Sequence, residues 1–180
     1  MDQGPPLTHV YNLARLGHAG ERVRLVAGPE ERAAIARWSG VSSVEGLSAD
    51  IDLKKVSPSK FTLEIALTAD LAQACVVTWE PVPAHIERHF RRELHFGGPV
   101  RRKVESVVPQ TVALTGLEEE EPPEEIESLQ YDLARPVLEE YVLSLEPYPR
   151  AEGAEFGLEP ATEDRPESPF AALKTLKPKF

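Results

Sequence analysis

The sequence holds one cysteine in 180 residues, Cys75. A single thiol closes no internal disulfide and builds no multi-cysteine metal site, and it suits a reducing compartment. Long apolar runs are missing too: no window approaches the ~18 apolar residues that a membrane span requires. The opening MDQGPPLTHVYN has neither a basic start nor an apolar core, so no signal peptide is expected there. Positive charge is scarce, with 20 Lys and Arg against 30 Asp and Glu, a net charge of −10. Binding along a nucleic-acid backbone depends on Lys and Arg displacing counterions, so this balance argues against wrapping one. It fits a basic protein partner, or a soluble protein that resists aggregation. No catalytic motif is recognisable. The expectation is a cytoplasmic, non-enzymatic protein with no membrane contact and no cofactor.

Proline, in contrast, is plentiful at 17 residues, and hydrophobic content is 41%, slightly below the roughly 45–50% of globular domains. The chain can bury a core, but not over its whole length. Residues 1–149 are expected to form one α+β domain, followed by a polar linker and a short basic helix at 150–180. Its sheet is expected to be small and antiparallel, or a partly open barrel, with flanking helices.

Residues 1–7 read as a disordered lead. Val10 to Leu16 and Arg22 to Ala27 are short β-prone runs, and His18-Ala19-Gly20 between them suggests a hairpin. Val23, Leu25 and Ala27 alternate against Arg22, Arg24 and Val26, as on a strand with one solvated face. Gly28-Pro29 then opens a helix over 29–39. Proline is tolerated at the first helical position, and Glu30 and Glu31 suit the positive end of the macrodipole. Gly40 is its expected left-handed stop. Trp38 is expected to anchor this helix on a sheet.

Val44 to Val56 alternates weakly, with Asp50 and Asp52 facing away from Ile51 and Leu53. Ser57-Pro58-Ser59-Lys60 reads as a turn. Phe61, Leu63, Ile65, Leu67 and Ala69 then share one face of the best strand in the chain, antiparallel to the preceding one. This strand leads into TADLAQACVVTWEPVP, Thr68 to Pro83. AHIERHFRRELHF suits either period, and the extended geometry imposed before proline favours a strand. VESVVPQTVAL is broken by Pro109 and is at best an edge strand or loop. LEEEEPPEEIE, with seven Glu in eleven residues, cannot bury a core, so 116–130 is expected to be a mobile acidic loop. Asp132 fits the cap of a helix over 133–145, with Val137, Leu138, Tyr141, Val142 and Leu145 on its apolar stripe. In the tail, Ser168-Pro169 opens a short helix with Phe170, Leu173 and Leu176 three apart. Lys174, Lys177 and Lys179 make it basic.

Three constellations invite function. His85, Glu87 and His89 share a face on either reading, but H-E-x-x-H is not met and no full ligand set is evident, so a solvated polar face is preferred. Cys75 with a histidine suggests a hydrolase or metal enzyme, but the groups that orient a base and hold an oxyanion are not recognisable. A buried or half-buried thiol at a strand end is preferred. Arg88, Arg91, Arg92, Arg101, Arg102 and Lys103 form a basic run opposed only by Glu87 and Glu93 within the same stretch. It is the candidate contact for RNA or a protein partner. The simpler reading is a solvated strand face balanced by the acidic loop.

Three blocks, in order, resemble the YceD family of large ribosomal RNA subunit accumulation proteins, in its alphaproteobacterial form. They are TADLAQACVVTWEPVP, then EPPEEIE running into DLARPVLEEYVLSLEPYP, and finally SPFAALKTLK. The resemblance spans about residues 8–177. It implies a non-catalytic factor supporting accumulation of 23S rRNA by binding a ribosomal protein, an assembly factor or rRNA, and a small antiparallel sheet with flanking helices. Many relatives carry C-x-x-C where this chain has Cys75-Val76-Val77-Thr78, and further cysteines after the segment matching Leu143 to Pro149. Thr78 replaces the second cysteine here, so a metal-dependent role does not carry over. The turn is then expected to rest on packing of Trp79 and on Pro81 and Pro83.

Overall fold

The computed structural model describes residues 4–97 and 123–155. The fold is α+β. Its centre is an open five-stranded sheet: β2 (Glu21–Val26), β3 (Ser43–Ser57), β4 (Lys60–Ala74), β5 (Pro81–Phe96) and β6 (Glu124–Ile126), adjacent in that order. A small second sheet pairs β1 (Val10–Asn12) with β7 (Gln130–Asp132), and the helices are α1 (Pro29–Ser39) and α2 (Ala134–Leu143). The barrel alternative is not realised. Nor is the sheet purely antiparallel, because β5 and β6 run parallel.

Alternation builds the sheet. Ile51, Leu53, Leu63, Ile65 and Leu67 are fully buried, with Ile51 opposite Ile65 and Leu53 opposite Leu63. A strand places successive side chains on opposite faces, so Asp50, Asp52, Glu64 and Asp70 emerge on the other side. Pro58 and Ser59 make the two-residue connection between β3 and β4. There the Ser57 hydroxyl accepts the Ser59 and Lys60 N–H groups at 3.3 and 3.1 Å.

Both helices and the β1–β7 ribbon cover the buried face of the sheet, joined in one hydrophobic cluster. α1 has the bounds its signals predict. The Glu31 carboxylate accepts the Gly28 N–H at 2.7 Å, and Gly40 takes φ 73° at the stop. Its docking differs from expectation: Trp38 is 51% exposed, and Ile35 is the buried position. Ser39, one residue on, faces α2 instead, its hydroxyl 3.4 Å from the Tyr141 hydroxyl. Ile35 and Ser39, one turn apart, mark the packed stripe, and Trp38 stands at its exposed rim.

Four further expectations are corrected. The lead is not wholly disordered, since Leu7 is buried in the core. Val10 to Leu16 does not pair with β2. β1 pairs with β7, far along the chain, and Leu13–Arg15 form a 3₁₀ turn. His18-Ala19-Gly20 does turn the chain, with the Gly20 N–H on the Gly17 carbonyl at 3.2 Å, but it leads into β2 without closing a hairpin. The acidic loop is ordered at its end: Ile126 is buried in β6. There Glu124 accepts the Tyr131 hydroxyl at 3.0 Å and lies 3.7 Å from Arg135. One apolar anchor and two partners for a carboxylate outweigh the run's like charge. Finally, α2 begins at Ala134, with Leu133 at the cap position, although Asp132 Oδ1 does accept the Ala134 N–H at 3.0 Å. Val104 to Leu114, the 116–122 part of the expected acidic loop, the 156–167 part of the linker expected from 150 and the helix expected at 168–176 lie outside the described residues.

Candidate functional site

The basic run is divided by strand geometry. Arg88 and Arg92 lie opposite Leu67 and Leu63, so they share the covered side of the sheet with Ile86 and Leu94. Arg91 lies opposite Glu64, on the open side. The covered pair is engaged by α2 and the residue that caps its end: Arg88 Nε donates to Ser144 Oγ at 3.1 Å, and Arg92 Nη2 lies 3.5 Å from Glu139 Oε2. Arg91 is bonded to Glu93 on its own strand. Arg101, Arg102 and Lys103 lie outside the described residues. The three described arginines therefore form no common patch.

On the open face, acids and bases are laid out in cross-strand pairs. Arg22 grips Asp52 with two bonds, Nε to Oδ1 at 2.7 Å and Nη2 to Oδ2 at 2.9 Å. Lys54 reaches Glu64 at 2.9 Å, and Arg24 lies 3.8 Å from Asp50. The Arg22–Asp52 contact holds the carboxyl below, and the guanidinium above, their ordinary values, through the hydrogen bond first. Small Ala66 lies beneath a shallow cleft of about 820 Å³ in this face, rimmed by Arg24, Asp50, His89 and Arg91. His85 and His89 are exposed here: His85 Nδ1 is 2.7 Å from Asp70 Oδ1, and His89 Nε2 is 3.8 Å from Glu87. This is the solvated polar face expected of them. Exposed ion pairs of this kind contribute little stability individually, but their mixed signs leave no continuous cationic track.

The turn after β4 has a different character. Cys75 is buried, at 0% exposure, directly beyond the strand end. Its Sγ accepts three backbone N–H groups: Val77 and Thr78 at 3.4 Å, and Ala151 at 3.3 Å. Two further bonds close the turn, Cys75 N–H to the Glu80 carbonyl at 2.8 Å and Trp79 N–H to the Cys75 carbonyl at 3.0 Å. The thiol is drawn down to about 6, by the Thr78 side chain first and then by the N–H groups of Ala151, Thr78 and Val77, against burial, which raises it. Such donors favour the thiolate. The turn is thus held by sulfur and not, as expected, by Trp79, which is 81% exposed with φ 64°. A bulky residue in the left-handed region is a genuine outlier.

The turn is fastened to the segment after α2. Val76 N–H donates to the Pro149 carbonyl at 2.9 Å. The buried Gln73 amide makes two bonds with the Glu146 backbone, at 2.9 and 3.3 Å. Trp79, Val76 and Tyr148 consequently stand at one end of the molecule, all exposed. Hydropathy makes a tryptophan look like core; only the backbone conformation at 79 reveals it as displayed. Among the described residues, no group of three or more His, Cys, Asp and Glu is arranged to hold a metal ion. Among them, no helix is long and apolar enough to cross a membrane. No protein-family model, no curated protein and no solved structure matches this chain.

Proposed function

We propose that the protein is a non-catalytic, cytoplasmic factor in assembly of the large ribosomal subunit. It supports accumulation of 23S rRNA by binding a protein, either a ribosomal protein or an assembly factor. The three blocks resembling the YceD family supply the process. One observation supports a protein partner over direct phosphate contact: the described arginines of the basic run are split between two faces, and each is engaged within the chain. Phosphate binding needs several unneutralised cations along one track. The net charge of −10 favours a basic partner in the same way.

Depletion of the protein in growing cells, followed by measurement of the ratio of 23S to 16S rRNA, tests the process. The ratio should fall, and an unchanged ratio overturns the reading. Titration with structured rRNA fragments at two salt concentrations tests the mode. Binding that weakens steeply with salt, and is lost on changing Arg88 and Arg91 to Glu, would instead assign the basic run to direct RNA contact.

A further inference from the structure

The displayed end of the molecule carries an inference that does not depend on the ribosomal reading. Trp79 is 81% exposed, Tyr148 73% and Val76 43%. The bonds from Val76 to Pro149 and from Ala151 to Cys75 join the two segments that bear them. Isolated exposed apolar residues are ordinary, but contiguous ones mark a contact surface. The strained backbone at Trp79 adds a separate sign, because such conformations persist where surrounding bonds enforce them for use.

We propose that the chain's own residues 168–177 cover this end. The described chain runs to Glu155, four residues beyond Ala151, whose N–H is bonded to Cys75 Sγ. The tail therefore departs from the patch itself. Twelve residues separate Glu155 from Ser168, and a flexible tether of that length has a typical span of roughly 20 Å, enough to turn back. Phe170, Leu173 and Leu176 recur at helical spacing, and Lys174, Lys177 and Lys179 follow with no acidic residue after Glu167. The exposed border of the patch is acidic on balance, with Glu80, Glu146 and Glu152 against the single base Arg150. An apolar stripe with basic flanks thus meets an apolar end with acidic flanks. The short tether raises the local concentration of the segment, so weak contacts suffice. A cover held this weakly can be displaced by a protein partner offering the same chemistry.

Trp79 is the natural reporter. In the full-length Trp38→Phe protein it is the only tryptophan. Acrylamide quenching of this protein is compared with that of a full-length version also carrying Phe170→Ser, Leu173→Ser and Leu176→Ser. Covering a side chain this exposed should make quenching in the first protein about twofold weaker, with emission shifted to the blue. A synthetic peptide of residues 165–180, added to the second protein, should restore both in a saturable way. Lys174→Glu with Lys177→Glu should release Trp79 without removing an apolar side chain. Equal quenching in all versions overturns the proposal. Protection that grows with protein concentration, together with a dimer in sedimentation, also overturns it by making a second copy the occupant.

Discussion

Removing the Asp132 carboxylate tests how β1 is fastened to β7 and to the start of α2. Asp132 Oδ1 accepts the His9 N–H at 2.7 Å and the Ala134 N–H at 3.0 Å. The Leu133 N–H returns to the His9 carbonyl at 2.9 Å. One oxygen thereby joins β1, β7 and the first turn of α2. Losing the side-chain acceptor at a helix start typically costs about 1 kcal/mol. A bond to a charged acceptor contributes about 1.5–3 kcal/mol when shielded. His9 is exposed and Asp132 half-buried, so water replaces much of the second bond and about 0.5–1 kcal/mol remains.

Asp132→Ala should therefore destabilise the protein by about 1.5–2 kcal/mol. At about 2–4 °C per kcal/mol for a chain of this size, Tm should fall by roughly 3–8 °C. Asp132→Asn keeps an oxygen in place without the charge, and should lose about half as much. Urea unfolding followed by circular dichroism measures the free energies, and amide exchange at His9 and Ala134 shows whether the loss is local. The reasoning fails if Asp132→Ala stays within about 0.5 kcal/mol of the parent, the range of neutral surface changes. It also fails if Asp132→Asn is as damaging as Asp132→Ala.

Three other outcomes are expected. Gly20 has φ 76°, and a Cβ there would lie 2.7 Å from the Leu53 carbonyl oxygen; Gly20→Ala should cost about 2 kcal/mol or more by denaturant titration, and a neutral result would mean the β2 entry moves freely. Leu63 is fully buried in the central strand, so Leu63→Ala should cost about 3–5 kcal/mol, and a loss under about 1 kcal/mol would contradict the packing around β4. The Cys75 thiol titrates near 6 in the folded chain, against 9.0 for an unperturbed thiol. Between those values the unfolded chain holds a proton that the folded chain has released, so stability should rise with pH from about 6 to about 9 and level off beyond. The gap in urea midpoint between the parent and Cys75→Ala should widen over that range, and Thr78→Val should shrink the widening; a gap independent of pH refutes the assignment.

What could be read from the residues follows a physical division. β3, β4 and β5 were legible because burying one face forces a period of two, and α1 was legible to the residue because Gly28-Pro29 and Gly40 mark its ends. Local signals of that kind carry no information about distant partners. Val10 shows β-propensity, but only the tertiary structure pairs it with Asp132. Glu124 looked solvated because its sequence neighbours repel it, whereas its partners are Tyr131 and Arg135. Arg88 and Arg91 belong to one cluster in the sequence and to opposite faces in the strand, a separation that follows once AHIERHFRRELHF is taken as β-structure. Trp38 and Trp79 mark the limit of hydropathy: it scores what a side chain would gain by burial, not whether the backbone turns it inward.

The Cys75 turn shows why chemistry and display meet at one place. Holding a tryptophan in the left-handed region costs roughly 1–2 kcal/mol. Glycine or asparagine at 79 would relieve that cost, so the local choice of residue conflicts with the local conformation. Such conflicts are expected where a function is served. The bonds that enforce the conformation are identifiable: the Cys75 carbonyl takes the Trp79 N–H, the Glu80 carbonyl takes the Cys75 N–H, and Sγ gathers the Val77, Thr78 and Ala151 N–H groups. Serine at 75 would offer shorter bonds from a smaller atom, and could not reach all three donors at the distances sulfur spans. The thiol's role is therefore to pin the strand end and the 149–151 segment around a fixed backbone. The indole's role is to stand out from that backbone toward whatever covers it.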